Sequence, residues 1–152
     1  MRRIAWLPVL LGGLIDVGGT SLAGLPVVFY VMATNPSIVG LSQAEQTATV
    51  MAFIKSHVML YIILAVIGCL FSVVGGYVSA RLARRAELLN AALSSYLCLG
   101  LGIYSLANGQ EQLPVWLSVL LLPLSPILSG LGGYVRLRQV RALSAVHSSG
   151  AA

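Results

Sequence analysis

Residues 58–78 read VMLYIILAVIGCLFSVVGGYV, an unbroken run without a charged side chain. Crossing the hydrocarbon core of a bilayer takes about 20 apolar residues in an α-helix. The whole chain shares this character, because 58% of its 152 residues are hydrophobic and only 9% are charged, whereas a soluble domain carries about 25% charged residues. The stretch predicts a transmembrane helix, and the composition predicts an integral membrane protein.

Three further apolar tracts cover residues 4–33, 88–106 and 113–135. Together with the first stretch they predict an all-α fold, a four-helix antiparallel transmembrane bundle that forms a single domain over residues 1–152. The tract 4–33 is longer than a straight span requires, so we expect it to tilt, kink or continue into the membrane interface. Gly18-Gly19 and Pro26 are the expected points of irregularity.

The basic residues orient these four spans. All eight arginines flank the tracts on one side of a four-pass topology, and the opposite side carries only Lys55 among the basic residues. Arginine and lysine accumulate on the cytoplasmic side, which predicts that both termini lie in the cytoplasm. The arginine-rich, lysine-poor composition suits a bacterium, so the expected location is a bacterial inner membrane. Lipid headgroup contacts are expected at Arg81, Arg84, Arg85, Arg136, Arg138 and Arg141.

An alternative interpretation of the N-terminus is a cleaved signal peptide, with Arg2-Arg3 before an apolar run and small residues near Ala23. The apolar core of a signal peptide covers about 7–15 residues, whereas this tract continues through Phe29 and contains Asp16. The favoured interpretation is that the tract is retained as the first span, and cleavage is the alternative.

Residues 34–57 form the predicted outer loop. Ser42-x-x-Glu45 is a capping box, a pattern typical of a helix start, and apolar residues recur after it at helical spacing. We expect an interfacial helix that begins near Gln43 and runs into the second span.

At the other end of the chain, residues 136–152 are predicted to be a cytoplasmic tail. Pro114, Pro123 and Pro126 are predicted to bend the fourth span.

Asp16 falls near the middle of the first span. A charged side chain there costs at least about 2.5–3.5 kcal/mol, so it must face protein or water or carry a proton. Thr20 lies one helical turn away and is expected to help satisfy the acid. Two hypotheses stay open: Asp16 with Thr20 binds a proton or cation, or Asp16 makes a buried hydrogen bond that specifies packing.

Small residues repeat at helical spacing along three of the spans. Such ridges allow two helix backbones to approach closely in lipid. A Gly-Gly-Tyr-Val motif also occurs twice, at 75–78 and at 132–135, which hints at two repeated helix hairpins. The predicted helix-packing residues are Gly12, Gly24, Gly68, Ser72, Gly76, Ser125, Ser129 and Gly133.

No pattern in the chain indicates catalysis. A nucleophile elbow, a zinc-protease motif and a phosphate-binding loop are all missing from the sequence. Cys69 and Cys98 lie within apolar tracts and lack the spacing of a metal site. The sequence predicts no enzyme activity, no cofactor, no metal and no nucleic-acid partner.

One segment resembles a known family. Leu11-Gly12-Gly13-Leu14-Ile15-Asp16, followed by Gly19-Thr20-Ser21-Leu22, is similar to the first span of the small multidrug resistance transporters, which are compact four-helix proton antiporters. The likeness covers this segment alone, and the family has Glu where this chain has Asp16. The resemblance implies that Asp16 is an exchange site shared by protons and a cationic substrate.

Taken together, these patterns predict a small membrane protein that acts through helix packing, as an accessory subunit or a self-assembling module. Its expected partners are the lipid bilayer and either further copies of itself or a larger membrane complex. The alternative is a proton- or cation-coupled transporter or channel centred on Asp16. Transport requires polar groups converging on Asp16, such as Thr20 and Ser72 or Ser94.

Overall fold

The computed structural model describes residues 4–83, 86–107, 119 and 123–149, and every regular element in these ranges is helical. The prediction of an all-α chain is therefore confirmed. The elements are α1 (Trp6–Thr34), a 3-10 helix (Pro36–Gly40), α2 (Gln43–Ser56), α3 (Val58–Ala83), α4 (Glu87–Ser94), α5 (Tyr96–Ala107) and α6 (Leu124–Ser149). Arg2, Arg3, Arg84, Arg85 and Pro114 lie outside the described residues.

Two of the helices, α1 and α3, are long and apolar enough to cross a membrane. They match the predicted tracts 4–33 and 58–78. The irregularity expected in the first tract does not interrupt the helix, because α1 is one element through both Gly18-Gly19 and Pro26. A proline inside a helix removes one backbone hydrogen bond, and the rest of α1 continues without it.

The predicted span 88–106 is interrupted in the structure. It forms α4 and α5, separated at Ser95. Ser94 donates its hydroxyl proton to the carbonyl of Ala91 at 2.7 Å, and Ser95 donates to that of Ala92 at 2.8 Å. Serine hydroxyls that bond nearby carbonyls offer the backbone an alternative to the helical ladder, which accounts for the break.

The end of the chain also differs from prediction. Apart from residue 119, the described part of the fourth tract begins with Pro123 and helix α6, which continues past residue 135 to Ser149. The predicted tail 136–152 is therefore helical over its described residues, because its alanines, leucines and arginines favour a helix. Pro123 precedes α6 and Pro126 lies in its first turn, where the missing N–H removes no helical hydrogen bond, so neither bends the helix interior.

The 3-10 helix and α2, residues 36–56, form a small unit that we call the cap. Helix α2 begins at Gln43 as the capping box predicts, with the Ser42 N–H donating to Glu45 Oε2 at 3.0 Å. It does not run into the next helix, because His57 leaves the helical conformation. The cap covers one end of α1 through a buried apolar cluster of Val31, Ile38, Val50 and Ile54.

The long helices pack as antiparallel neighbours. On α1 and α3, Asp16 meets Ser72 and Gly12 meets Gly75, so the two helices run in opposite directions. On α4 and α6, Ser94 meets Ser129 and Ala91 meets Gly133, again in opposite directions. The start of α1, the end of α3, the start of α4 and the end of α6 consequently share one end of the bundle, which we call the arginine end.

The two Gly-Gly-Tyr-Val motifs lie against each other at the crossing of α3 and α6. A Cβ atom added to Gly76 would collide with the carbonyl oxygen of Ser129, and one added to Gly132 would collide with that of Val73. Only glycine permits this backbone approach. The neighbouring residues Gly75 and Gly133 face α1 and α4 respectively, so each motif joins its helix to two others.

Candidate functional site

Asp16 lies at the contact of α1 and α3 and is only 2% exposed. Its Oδ1 accepts a hydrogen bond of 2.8 Å from the hydroxyl of Ser72. The glycines one turn away make this contact reachable, because a Cβ on Gly75 would lie 2.5 Å from the Gly12 carbonyl oxygen. The close approach of the two backbones therefore brings the Ser72 hydroxyl within hydrogen-bond distance of the Asp16 carboxyl.

A thiol on a third helix also meets the acid. The thiol of Cys98 on α5 interacts with both the Asp16 carboxyl and the hydroxyl of Ser125 on α6. Asp16, Ser72, Cys98 and Ser125 form what we call the Asp16 cluster, to which each of α1, α3, α5 and α6 contributes one side chain. The sequence predicted Asp16 and Ser72 as partners but not the role of the thiol.

The cluster leaves two buried oxygen atoms without a hydrogen-bond partner. They are Oδ2 of Asp16 and Oγ of Ser125. Leaving a buried polar atom unsatisfied costs about 1–3 kcal/mol, so such atoms need an explanation. The cluster itself contains no positively charged residue: in the described chain, Lys55 and His57 lie toward the cap, and the arginines lie on α3 and α6 toward the other end.

Thr20 takes a different place from the one predicted. Its hydroxyl donates to the backbone carbonyl of Asp16 at 2.8 Å, not to the carboxylate. Its methyl group faces α3, 3.6 Å from the position of a Cβ on Gly68. Thr20 is thus a contact between α1 and α3, one turn from the cluster.

A second polar layer lies between the cluster and the arginine end. Ser129 donates to the carbonyl of Ala91 at 2.6 Å and lies 2.9 Å from the hydroxyl of Ser94. Asn90 is fully buried, and its Oδ1 accepts a hydrogen bond of 2.9 Å from the backbone N–H of Ala5. Sequence reasoning missed Asn90, although an asparagine inside an apolar tract is a signal for an interhelical hydrogen bond.

The predicted helix-packing residues lie mostly at contacts within the chain. Gly12 faces the backbone of Gly75 and the serines of two neighbouring helices, and Gly133 faces Ala91. Gly24 differs, because a Cβ there would meet no atom within 4 Å. The small-residue ridges therefore join helices of the same molecule, apart from the open position on α1.

The described arginines of the headgroup prediction gather at the arginine end. Arg81 and Arg141 are exposed, and the guanidinium of Arg138 lies 5.9 Å from the centre of the Tyr134 ring. Arg136 is half-buried, and its Nε has no hydrogen-bond partner. Arg84 and Arg85 are the two headgroup candidates outside the described residues.

Two cavities lie away from the acid. One of about 260 Å³ opens beside the helix break and is lined mainly by apolar residues, with Ser95, Tyr96 and Pro126 among them. Another of about 360 Å³ lies beneath the cap, next to Tyr30 and His57. Over the described ranges, no three His, Cys, Asp or Glu side chains come together as a metal site.

No protein-family model matches the chain, and no curated protein and no solved structure is similar to it. The likeness of residues 11–22 to the small multidrug resistance transporters consequently stays a local resemblance.

Proposed function

We propose that the chain is a multi-pass membrane protein with four spans, the third of them formed by α4 and α5 together. The distribution of side chains supports this. The long helices turn large apolar residues outward, such as Leu14, Leu22 and Leu70, which are 60%, 66% and 60% exposed. The buried positions between them hold mainly Gly, Ser and Ala, together with Asn90 and Asp16. A soluble protein would bury the first set and expose the second.

The charge distribution supports an orientation with both termini in the cytoplasm of a bacterium. The described arginines occur at one end of the bundle, and Lys55 occurs at the other. Short connections with excess Arg and Lys stay on the cytoplasmic side of an inner membrane. A cysteine-accessibility map with a membrane-impermeant reagent on intact cells tests this: a cysteine in place of Lys55 should be labelled, and one in place of Arg141 should be protected.

Within the membrane, we propose that the protein acts without enzymatic chemistry, as an accessory or self-assembling subunit that works through helix packing. One observation carries this proposal: most of the small and polar residues that the sequence predicted for helix packing lie at contacts within the chain. The surface left outward between the two ends is apolar. Such a surface is suited to contact with lipid and with further membrane helices, whose association relies on van der Waals packing.

Photo-crosslinking in the native membrane tests the subunit proposal. A photoreactive phenylalanine at Leu22 or Phe29, which both face outward on α1, should yield a discrete protein adduct, either of a second copy or of a partner. The same probe at Val9, which is 8% exposed, is the inward-facing control. Lipid adducts alone at every outward position, together with a monomeric mass in nanodiscs, would contradict the proposal.

A second candidate function is proton- or cation-coupled transport centred on Asp16. The specific observation in its favour is the unpartnered Oδ2, because an ionisable group within the membrane is by default a candidate for ion or proton handling. The helix break at Ser95 adds to it, since transporters often bind ions where a spanning helix is discontinuous.

Reconstitution into liposomes distinguishes this candidate from the first. If the protein is a transporter, wild type should show ion or proton flux, and Asp16→Asn should abolish it. Ser21→Ala is the control and should leave the flux unchanged, because the Ser21 hydroxyl is exposed and bonds only the Val17 carbonyl. If the wild-type protein shows no flux for protons or monovalent cations while its fold is intact, the transport candidate fails and the subunit proposal is unaffected.

A further inference from the structure

The cavity of about 260 Å³ beside the break at Ser95 has the dimensions of a small-molecule site. Its lining comes from α4, α5 and α6, and the lining residues Leu89 and Tyr96 are exposed, so the cavity opens on the outer surface of the bundle. A cavity of about 150 Å³ inside a protein holds a benzene ring. This one therefore has room for a substituted six-membered ring, whose remaining chain would lie outside it.

Tyr96 gives this cavity a hydrogen-bond donor that nothing uses. Its side chain is 61% exposed, and none of the described residues forms a hydrogen bond with its hydroxyl. Ser95, the other polar residue of the lining, already donates to the Ala92 carbonyl. Pockets for small molecules are mostly apolar, with a few polar groups that fix the orientation of the ligand. The cavity has this composition, with the Tyr96 hydroxyl as its orienting group.

The position of Tyr96 along the bundle is away from the headgroup level. Its neighbour in the chain, Leu97, packs on Gly13, where an added Cβ would lie 2.7 Å from a Leu97 methyl carbon. Gly13 follows Trp6, the first residue of α1 at the arginine end, by about two turns, or roughly 10 Å. In the four-span arrangement proposed above, this depth falls within the hydrocarbon core. The core contains no water to serve as a partner, so a hydroxyl without one is costly there.

The chemistry of the lining restricts the ligand. The residues that line the cavity include no charged side chain, so a charged ligand would be left uncompensated. A saturated acyl chain fills apolar volume but offers no acceptor to Tyr96, and the ester carbonyls of phospholipids lie at the membrane interface. A quinone ring meets both requirements, because it is flat and uncharged and carries carbonyl oxygens, while its isoprenoid chain dissolves in the hydrocarbon core.

We propose that this cavity binds an isoprenoid quinone of the membrane, with one ring carbonyl accepting a hydrogen bond from the Tyr96 hydroxyl and with Ala92 and Pro126 packing against the ring. The inference goes beyond the proposed subunit function, and it rests only on the proposed placement of the bundle in the membrane. It concerns binding alone and involves no transfer of electrons.

A titration of the protein in nanodiscs with decyl-benzoquinone tests the site by NMR. The protein is isotope-labelled at the tyrosine Cζ atom, which responds to hydrogen bonding of the hydroxyl, and at the leucine methyl groups. We expect the quinone to shift the Tyr96 signal saturably, with Tyr96→Phe assigning that signal. The apparent dissociation constant, followed on the methyl groups of Leu89 and Leu99, should rise about fivefold in Tyr96→Phe, which loses one neutral hydrogen bond. It should rise about tenfold or more in Ala92→Leu, whose side chain occupies the cavity.

Two controls accompany the titration. Tyr104→Phe, at another exposed tyrosine of α5 that is not part of the cavity, should bind the quinone as wild type does. Decane, which has no acceptor, should leave the Tyr96 signal in place. Equal binding by wild type, Tyr96→Phe and Ala92→Leu would overturn the proposal. A Tyr96 signal already at its hydrogen-bonded position in quinone-free lipid would also overturn it, and would assign the hydroxyl to a phospholipid ester.

A cysteine variant separates failure of the site from failure of the membrane placement. Tyr96→Cys should resist the membrane-impermeant reagent in intact cells and in open membranes alike. Labelling at this position would refute the four-span arrangement and the quinone site with it. Resistance to the reagent without quinone binding would overturn the site alone.

Discussion

The bundle interior and the cap bury opposite kinds of residue. Between the long helices, the buried positions include Gly12, Gly76, Ser79 and Asn90, whose contacts are backbone against backbone or hydrogen bonds. In the cap, the buried residues Ile38, Val50 and Ile54 are aliphatic, and they pack against Val31 of α1, which is only 1% exposed. Burying apolar surface is favourable only when it leaves water. This is the difference that the proposed membrane topology predicts, with the cap folding against water and the bundle assembling in lipid, where association relies on packing and hydrogen bonds.

The largest expected effect comes from breaking the closest contact in the bundle. Gly76→Leu inserts a side chain against the Ser129 backbone and should destabilise the protein by about 3 kcal/mol or more, because backbone cannot move aside as a side chain can. Unfolding in mixed micelles, followed by circular dichroism, measures this. Gly130→Leu, on the facing helix but with open space around it, should instead be neutral or stabilising; equal losses in both variants would refute the close-packing argument.

The cap should respond to the loss of apolar volume. Ile54→Ala is expected to cost about 2 kcal/mol, the lower end of the range for such truncations, since a peripheral cluster can partly collapse. The loss should appear as faster hydrogen exchange in α2, with α1 and α3 unaffected near the Asp16 cluster. Val39→Ala, at a residue that is 66% exposed, serves as the control. If Ile54→Ala destabilised the whole protein, the cap and the bundle would unfold as one cooperative unit, contrary to this prediction.

A smaller effect is expected from the buried amide. Asn90→Leu removes the acceptor for the Ala5 N–H and a donor to the Ala86 carbonyl, at 3.1 Å, and should cost about 1–2 kcal/mol. Gln139→Leu removes an exposed hydrogen bond to Tyr77 and should change stability by less than about 0.5 kcal/mol. Thermal unfolding of the two variants in the same detergent compares them, and a stabilised Asn90→Leu protein would refute a role for polar contacts in the bundle.

The smallest effect concerns pH and belongs to the cap alone. Hydrogen bonds from the Ser42 side chain and backbone hold the pKa of Glu45 below its usual value of 4.5. Because the folded pKa is lowered, the carboxylate stabilises α2 above the pKa of the unfolded chain, and this stabilisation disappears as the pH falls through the folded value. The protection of the amides at the start of α2, measured relative to their intrinsic exchange rate at each pH, should therefore fall in acid, and Ser42→Ala should flatten this dependence. An unchanged acid response in Ser42→Ala would assign it to another group.

Much of the fold follows from local sequence. The tracts 4–33 and 58–78 correspond to α1 and α3, and the Ser42 capping box marks the start of α2 at Gln43. These features depend on neighbours along the chain. The break at Ser95 was not predicted, because a hydropathy pattern does not show which hydroxyls form hydrogen bonds with the backbone. The helical continuation of α6 was not predicted either, because hydropathy marks the end of an apolar tract and not the end of a helix.

The candidate site was predictable only in part. An acid inside an apolar tract draws attention to Asp16 from sequence alone, since its burial is costly in any fold. Its partners were not evident, because Cys98 and Ser125 are unremarkable residues in the sequence, and they come near the acid only because α5 packs against both α1 and α6. Thr20, predicted as a partner from its spacing, bonds its own helix backbone instead.

The sequence by itself determined that this chain is helical, strongly apolar and asymmetric in its basic residues, because those properties depend on composition and spacing. Tertiary structure decided which small residues meet: Gly75 faces α1 while Gly76 faces α6, although the two are adjacent in the chain. It also decided that Ser72 of α3 and Cys98 of α5 meet Asp16, and that Ser125 of α6 meets the same thiol. Which residues meet depends on how each helix is rotated about its axis and where it crosses its neighbours, and the sequence pattern of a single helix does not contain that information.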